Sequence, residues 1–275
     1  MIERTVRGVR VPGVMYGTAW KEDRTQELVE EAFVTGYRAF DTANQRKHYH
    51  EAAVGEALRG RERGQLFLQT KFTHRAGQDH RLPYDAVAPI GTQVEQSFGS
   101  SLAHLHTTYV DAYVLHGPST TRGLAPEDVD AWRAMERLHD TGAAHLLGVS
   151  NVTRDQLEQL CGLARVPPAF VQNRCHATRG WDADVRALCR RRDVTYQGFS
   201  LLTANRATLA RPLFDEVMHR TGGTREQIVF RFAVQVGMLP LTGTSSPQHM
   251  RDDLAIDDFE LTEREVEAIE RAGAP

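Results

Sequence analysis

Lysine is scarce in this chain of 275 residues: of 33 basic residues only Lys21, Lys47 and Lys71 are lysines, and arginine supplies the rest. A lysine inside an apolar strand pattern therefore calls for a reason. Lysine can have its pKa lowered by burial, or sit beside a carboxylate as a compact charge, and arginine does neither in the same way. Cysteine is as scarce: Cys161, Cys175 and Cys189 are well separated, with no C-x-x-C. That excludes a disulfide scaffold and fits a reducing cytoplasm. No apolar run approaches the roughly 20 residues of a bilayer span. The opening MIERTVRGVRVPGV lacks the apolar centre of a signal peptide, so export is not expected. The formal net charge of −3 gives no ground for nucleic acid or an anionic membrane as partner. No G-x-G-x-x-G follows a strand pattern, which argues against a doubly wound dinucleotide fold.

What is present is an alternation. Short apolar runs predict strands at 14–16, 38–40, 66–71, 110–116, 146–149, 170–172, 195–199 and 239–241. Amphipathic stretches predict helices at 25–35, 52–58, 91–104, 131–140, 154–163, 183–192 and 225–236, with another from Pro247 and a last one over 260–272. Thr153 is placed as an N-cap before RDQLEQL, whose Leu157 and Leu160 share a face. Strands alternating with helices pair in parallel through right-handed crossovers. Eight such units over about 250 residues give a closed (β/α)8 TIM barrel. The chain is read as one domain, 1–275, with RTVRGVRVPGV as a β-hairpin around Gly8 capping the amino-terminal mouth.

In such a barrel the chemistry lies at the carboxyl ends of the strands. The second strand ends in Asp41, and His48, Tyr49, His50 and Glu51 lie in the loop after it. The third ends in Lys71, the fourth in His116, the fifth in Ser150-Asn151 and the sixth in Gln172-Asn173. A lone strand-end Asp or His is more often a cap or a core residue than a catalyst. Asp41, Lys71 and His116 on three adjacent strands are a stronger signal than any one of them. A tyrosine hydroxyl, with a pKa near 10, is a poor acid at neutral pH. An ammonium beside it lowers that pKa, and a carboxylate holds the ammonium in place. The hydroxyl then protonates a carbonyl oxygen as hydride reaches the carbon, while a histidine orients the carbonyl.

These residues resemble the aldo-keto reductase superfamily, nearly from end to end. GTAW at 17–20 is similar to the family's first-strand segment, and GYRAFDTA and EAAVGEAL to its second-strand signature. QTKF, VLHGP and GVSN resemble the lysine, histidine and fifth strands, and LPLTGTSSPQHMRDDL resembles the cofactor segment. The resemblance implies a catalytic tetrad of Asp41, Tyr49, Lys71 and His116. It implies that Ser150, Asn151 and Gln172 bind the nicotinamide carboxamide and that Phe199 stacks on its ring. Ser200 and Leu202 would lie under the pyrophosphate, and Gly243, Thr244, Ser245, His249 and Asp253 around the adenosine. Trp20 and His48 would line the substrate pocket. The implied activity is reduction of an aldehyde or ketone to an alcohol, with NADP(H) preferred and NAD(H) an option.

Three departures from the family pattern are visible. Glu51 comes ten positions after Asp41, a longer spacing than usual, and counting back from Glu51 puts His48 where the tyrosine normally stands. Tyr49 is the tyrosine of that loop and takes the assignment. Gly243 and His249 stand where the family has the lysine and arginine that grip the 2′-phosphate, so NADH should be less strongly rejected. The chain ends soon after its last helix, so a long carboxyl-terminal pocket loop is expected to be missing and bulky substrates to be admitted. Two other readings compete. His48-x-His50 resembles the His-x-His of metal-dependent barrel hydrolases, although there the pair comes after the first strand and converging further ligands are needed. A nucleotide-binding regulatory or redox-sensing subunit with little turnover is the second.

Overall fold

A computed structural model describes residues 3–273. Eight parallel strands close into a barrel: β3 (Met15–Gly17), β4 (Ala39–Asp41), β5 (Phe67–Phe72), β6 (Val110–Leu115), β7 (Ala144–Ser150), β8 (Phe170–Arg174), β9 (Thr195–Phe199) and β10 (Leu239–Thr242). Between and after them run α1 (Thr25–Thr35), α2 (Glu51–Leu58), α3 (Ile90–His104), α4 (Pro126–Asp140), α5 (Arg154–Leu163), α6 (Ala183–Arg191), α7 (Arg206–Leu209), α8 (Pro212–Thr221), α9 (Arg225–Gln235), α10 (Pro247–Leu254) and α11 (Glu263–Arg271). The strands β1 (Glu3–Val6) and β2 (Val9–Pro12) precede the barrel as an antiparallel hairpin.

The hairpin turns on Arg7 and Gly8, both at positive φ (46° and 85°), the pairing a two-residue type I′ turn requires. Its Val6 and Val11 pack with Met15, Phe67, Leu146, Phe170 and Leu239, which fill the lower barrel. Arg4 donates to the carbonyl of Met238 (2.8 Å) and Arg7 to that of Pro168 (2.8 Å), at the amino ends of β10 and β8. The hairpin thus plugs the bottom and leaves the opposite end for chemistry.

The alternation of side chains along a strand sorts each residue. On β5, Leu68 and Phe72 face outward to the helices, while Phe67 belongs to the inner apolar layer. Gln69 and Lys71 succeed Phe67 at two-residue steps and share its face, above the apolar floor. Gly148 sits on β7 where a Cβ would meet Val114 at 3.0 Å and Phe170 at 3.1 Å, so a larger residue at this inner position would need its neighbours to give by a few tenths of an ångström.

Several boundaries differ from those the sequence predicts. The helix expected from 131 begins at Pro126, because Pro stands at its first turn and Asp128 accepts the N–H of Ala125 (2.8 Å). That turn is stabilised by capping rather than by apolar spacing, which is why periodicity starts late. Strand β4 runs one residue later than expected and contains Asp41. Helix α8 is absent from the sequence reading, although Pro212 opens it and Gly222, at φ 72°, closes it. Thr153 does cap α5: its Oγ1 accepts the N–H of Gln156 at 3.2 Å, and Gln156 bonds back.

Candidate active site

Lys71 is wholly buried at the upper end of β5. Its Nζ lies 2.7 Å from each carboxylate oxygen of Asp41 and 2.8 Å from the carbonyl of Thr42. Three acceptors match the three N–H bonds of an ammonium. Burial pulls the Lys71 pKa down, and the Asp41 carboxylate opposes that pull. The same carboxylate accepts from Gln69 Nε2 (2.7 Å) and Gln172 Nε2 (3.0 Å).

The loop from Asp41 to Glu51 is tightened by a turn in which the Gln45 carbonyl accepts the N–H of His48 (3.2 Å) and of Tyr49 (3.0 Å). Asn44 Nδ2 anchors it to the carbonyl of Ser97 (3.0 Å), and Gln45 Nε2 to that of Gly77 (2.7 Å). The extra length is taken up there, and the two candidates separate. The Tyr49 ring centroid lies 5.1 Å from Lys71 Nζ and 5.9 Å from the His116 ring. His48 instead stacks on Trp20, with centroids 4.0 Å apart. Trp20 is 68% exposed, and its backbone N–H donates to the His48 carbonyl at 2.7 Å.

The tyrosine behaves differently from the simple sequence logic. Burial, with the Asp41 charge beside it, pushes the Tyr49 pKa well above the ordinary tyrosine range. The Lys71–Asp41 pair is neutral as a unit and all three N–H bonds of Lys71 are engaged, so the phenol stays protonated. His116 moves the other way: burial, then the charge of Lys71, then His48, pull its pKa to about 3. It is neutral at pH 7. Its Nδ1 lies 2.7 Å from Thr73 Oγ1, a partner the sequence does not suggest.

Around this centre lie the other candidates. Ser150 Oγ donates to the Gln172 carbonyl (2.6 Å), and Asn151 Nδ2 to the His116 carbonyl (2.8 Å). Trp20, Asn151 and Ser200 all take positive φ (62°, 55° and 56°), an uncommon backbone choice gathered at strand ends. Phe199, which ends β9, and Leu202, beyond it, are half-buried, while Gly243, Ser245 and His249 are exposed around the start of α10 and Thr244 is half-buried. Lys21 reaches the Gly243 carbonyl, bringing a cation to the stretch from Gly243 to His249, which has no lysine or arginine of its own. The scarcity of lysine, which marks Lys71, marks Lys21 equally. Gln69 and Gln197, wholly buried, also escape the sequence reading. Among the described residues no three His, Cys, Asp or Glu converge to hold a metal.

Asp253 is placed apart from the open surface. It is 2% exposed, and its Oδ2 accepts from Thr242 Oγ1 at 2.5 Å. Burial is the first cause that pushes its carboxyl up to about 7, with Thr242 opposing. A carboxyl raised in the fold contributes no penalty below about pH 4, where both states are protonated. It costs stability progressively as pH rises to about 7, because the unfolded chain ionises first. Asp253→Asn keeps an acceptor for Thr242 and removes that cost. Thermal unfolding at pH 8 should show the variant more stable, by up to about 4 kcal/mol, with the advantage gone at pH 4. Equal stability at both pH values would refute this account.

Comparison with known proteins identifies the family. The chain is 29% identical to an aldo-keto reductase of Mycolicibacterium vanbaalenii, over 89% of this chain and 82% of that protein. It is 31% identical to a D-galacturonate reductase of Fragaria ananassa, over 89% of this chain and 80% of that one. A crystal structure of an aldo/keto reductase from Brucella melitensis superposes with a TM-score of 0.84 at 25% identity, covering 98% of this chain and 99% of that one. The model of the aldo/keto reductase family matches residues 13–274, and the chain belongs to that family of oxidoreductases.

Proposed function

We propose that this protein reduces an aldehyde or ketone to an alcohol with a nicotinamide nucleotide, using Tyr49 as proton donor. The observation that carries the reading is the gathering of Asp41, Lys71, Tyr49 and His116 at neighbouring strand ends, with Tyr49 5.1 Å from the ammonium and 5.9 Å from the imidazole. The donor set fits the nucleotide. Ser150, Asn151 and Gln172 offer a hydroxyl and two amides at adjacent strand ends, and Phe199 offers a flat ring. Thr244, Ser245 and His249, with Lys21 nearby, offer polar contacts for the adenosine and its phosphate. NADPH is the preferred form because Lys21 restores one cation, and NADH is accepted because position 243 has none. When bound, the nicotinamide supplies the hydride.

The protein's part is set by the site. With the Thr73 hydroxyl donating to Nδ1, neutral His116 carries its proton on Nε2 and offers that N–H as a hydrogen bond to the carbonyl oxygen, without giving the proton up. The phenol is kept protonated by burial until an alkoxide, a far stronger base, forms beside it. Tyr49 then gives up its proton, and the Lys71 ammonium stabilises the phenolate through space. Trp20 and His48 form an aromatic wall at the mouth that accommodates bulky substrates. The three free thiols suit a cytoplasmic protein.

The test is nucleotide consumption, monitored at the nicotinamide absorbance, over a panel of aromatic and aliphatic aldehydes with NADPH and NADH in parallel. Aldehyde-dependent oxidation is expected, faster with NADPH at limiting nucleotide. Tight binding without turnover on any aldehyde would favour a regulatory subunit instead.

A further inference from the structure

Gln69 and Gln197 are wholly buried in the barrel, and the proton transfer proposed above assigns them no role. Their hydrogen bonds have directions that the neighbouring charge dictates. An ionised carboxylate only accepts, so any amide touching Asp41 must turn its NH2 end toward it. Gln69 Nε2 and Gln172 Nε2 both do so, at 2.7 Å and 3.0 Å from Oδ1. The second N–H of each then meets Gln197 Oε1, at 2.9 Å and 3.0 Å. Gln197 Nε2 completes the set by donating to Gln69 Oε1 at 2.8 Å. Two of the three amide carbonyls are consumed. Gln172 Oε1 takes part in no bond of this network.

A glutamine by itself can offer a ligand either end of its amide. Here the flip is blocked, because it would press Gln172 Oε1 against two other acceptors, Asp41 Oδ1 and Gln197 Oε1. We propose that Gln69 and Gln197 are positioning residues: they lock the Gln172 amide with its carbonyl unengaged, so that the site recognises an N–H donor of a primary amide. Under the reductase reading, on which this inference rests, that donor is the nicotinamide carboxamide. The acceptor is set before the ligand arrives, which lowers the ordering cost of binding.

Two measurements test it. In the wild type, the dissociation constant of NADP is compared with that of its 3-acetylpyridine analogue, which keeps the carbonyl and lacks the N–H. The amide form should bind about threefold to tenfold more tightly, the range of one net hydrogen bond. Gln197→Met removes the amide at similar volume and should shrink that preference toward unity. Binding of adenosine 2′,5′-bisphosphate, which has no nicotinamide, should stay unchanged. Gln69→Met cuts the same network from its other side and serves if Gln197→Met does not fold. A variant that weakens both ligands equally, or leaves the preference intact, overturns the positioning role. No preference in the wild type overturns it as well, without touching the reductase reading. A wild type that binds no nicotinamide nucleotide overturns the reductase reading itself.

Discussion

Tyr49→Phe should lose turnover by a factor of about 10²–10⁴ while keeping its fold and its nucleotide. That range corresponds to roughly 3–5 kcal/mol of transition-state stabilisation. The expectation is unusually clean because of what the hydroxyl does not do. Among the described residues the Tyr49 hydroxyl makes no hydrogen bond to another protein group, so its removal leaves no partner unsatisfied. The ring keeps its edge-on contact with His116, 5.9 Å between centroids. A melting temperature within a few degrees of wild type, an unchanged nucleotide dissociation constant and a collapsed kcat would together identify the hydroxyl as the acid. Full turnover in the variant would remove Tyr49 from the mechanism and leave His48 as the next candidate of that loop. Histidine at position 48 is already committed elsewhere, 4.0 Å from the Trp20 ring, so His48→Ala should act on KM for bulky aldehydes more than on kcat.

The contrast between these neighbours shows what a sequence can and cannot reveal about such a site. Asp41, Lys71 and His116 were legible because strand ends are legible: a buried strand reads as an apolar run, and the residues at its carboxyl end face the mouth. Tyr49 was not fixed by spacing, because its position depends on the Gln45 turn, whose bonds run between backbone groups that carry no side-chain signature. Gln69 and Gln197 were within reach. The two-residue step that places Lys71 inside the barrel passes through Gln69, and the step from Thr195 passes through Gln197. They escape notice because a single glutamine in a strand suggests nothing until its partners across the barrel are known. Asp253 shows the opposite limit: its place in the motif was legible, and its burial beneath Thr242 was not.

The largest loss of stability should come from Lys71→Met, which loses activity and also leaves the Asp41 carboxylate buried without its counter-ion. Both oxygens of Asp41 lie 2.7 Å from the ammonium, and the two side chains are 0% and 4% exposed. Breaking a buried pair from one side typically costs about 3–5 kcal/mol, because the stranded charge keeps its desolvation penalty. For a chain of this length that lowers the melting temperature by roughly 5–9 °C. Gln69 and Gln172 still donate to the stranded carboxylate, which places the outcome toward the lower end. Adding Asp41→Asn removes the charge itself, so the double variant should be more stable than Lys71→Met alone while remaining inactive. That sign comes from electrostatics and not from lost packing, since a second lesion to a mere packing contact would make matters worse. Thermal melts of the wild type, both single variants and the double variant close the cycle. If Lys71→Met melts with the wild type, the pair is not the buried charge unit on which the acid chemistry of Tyr49 is built.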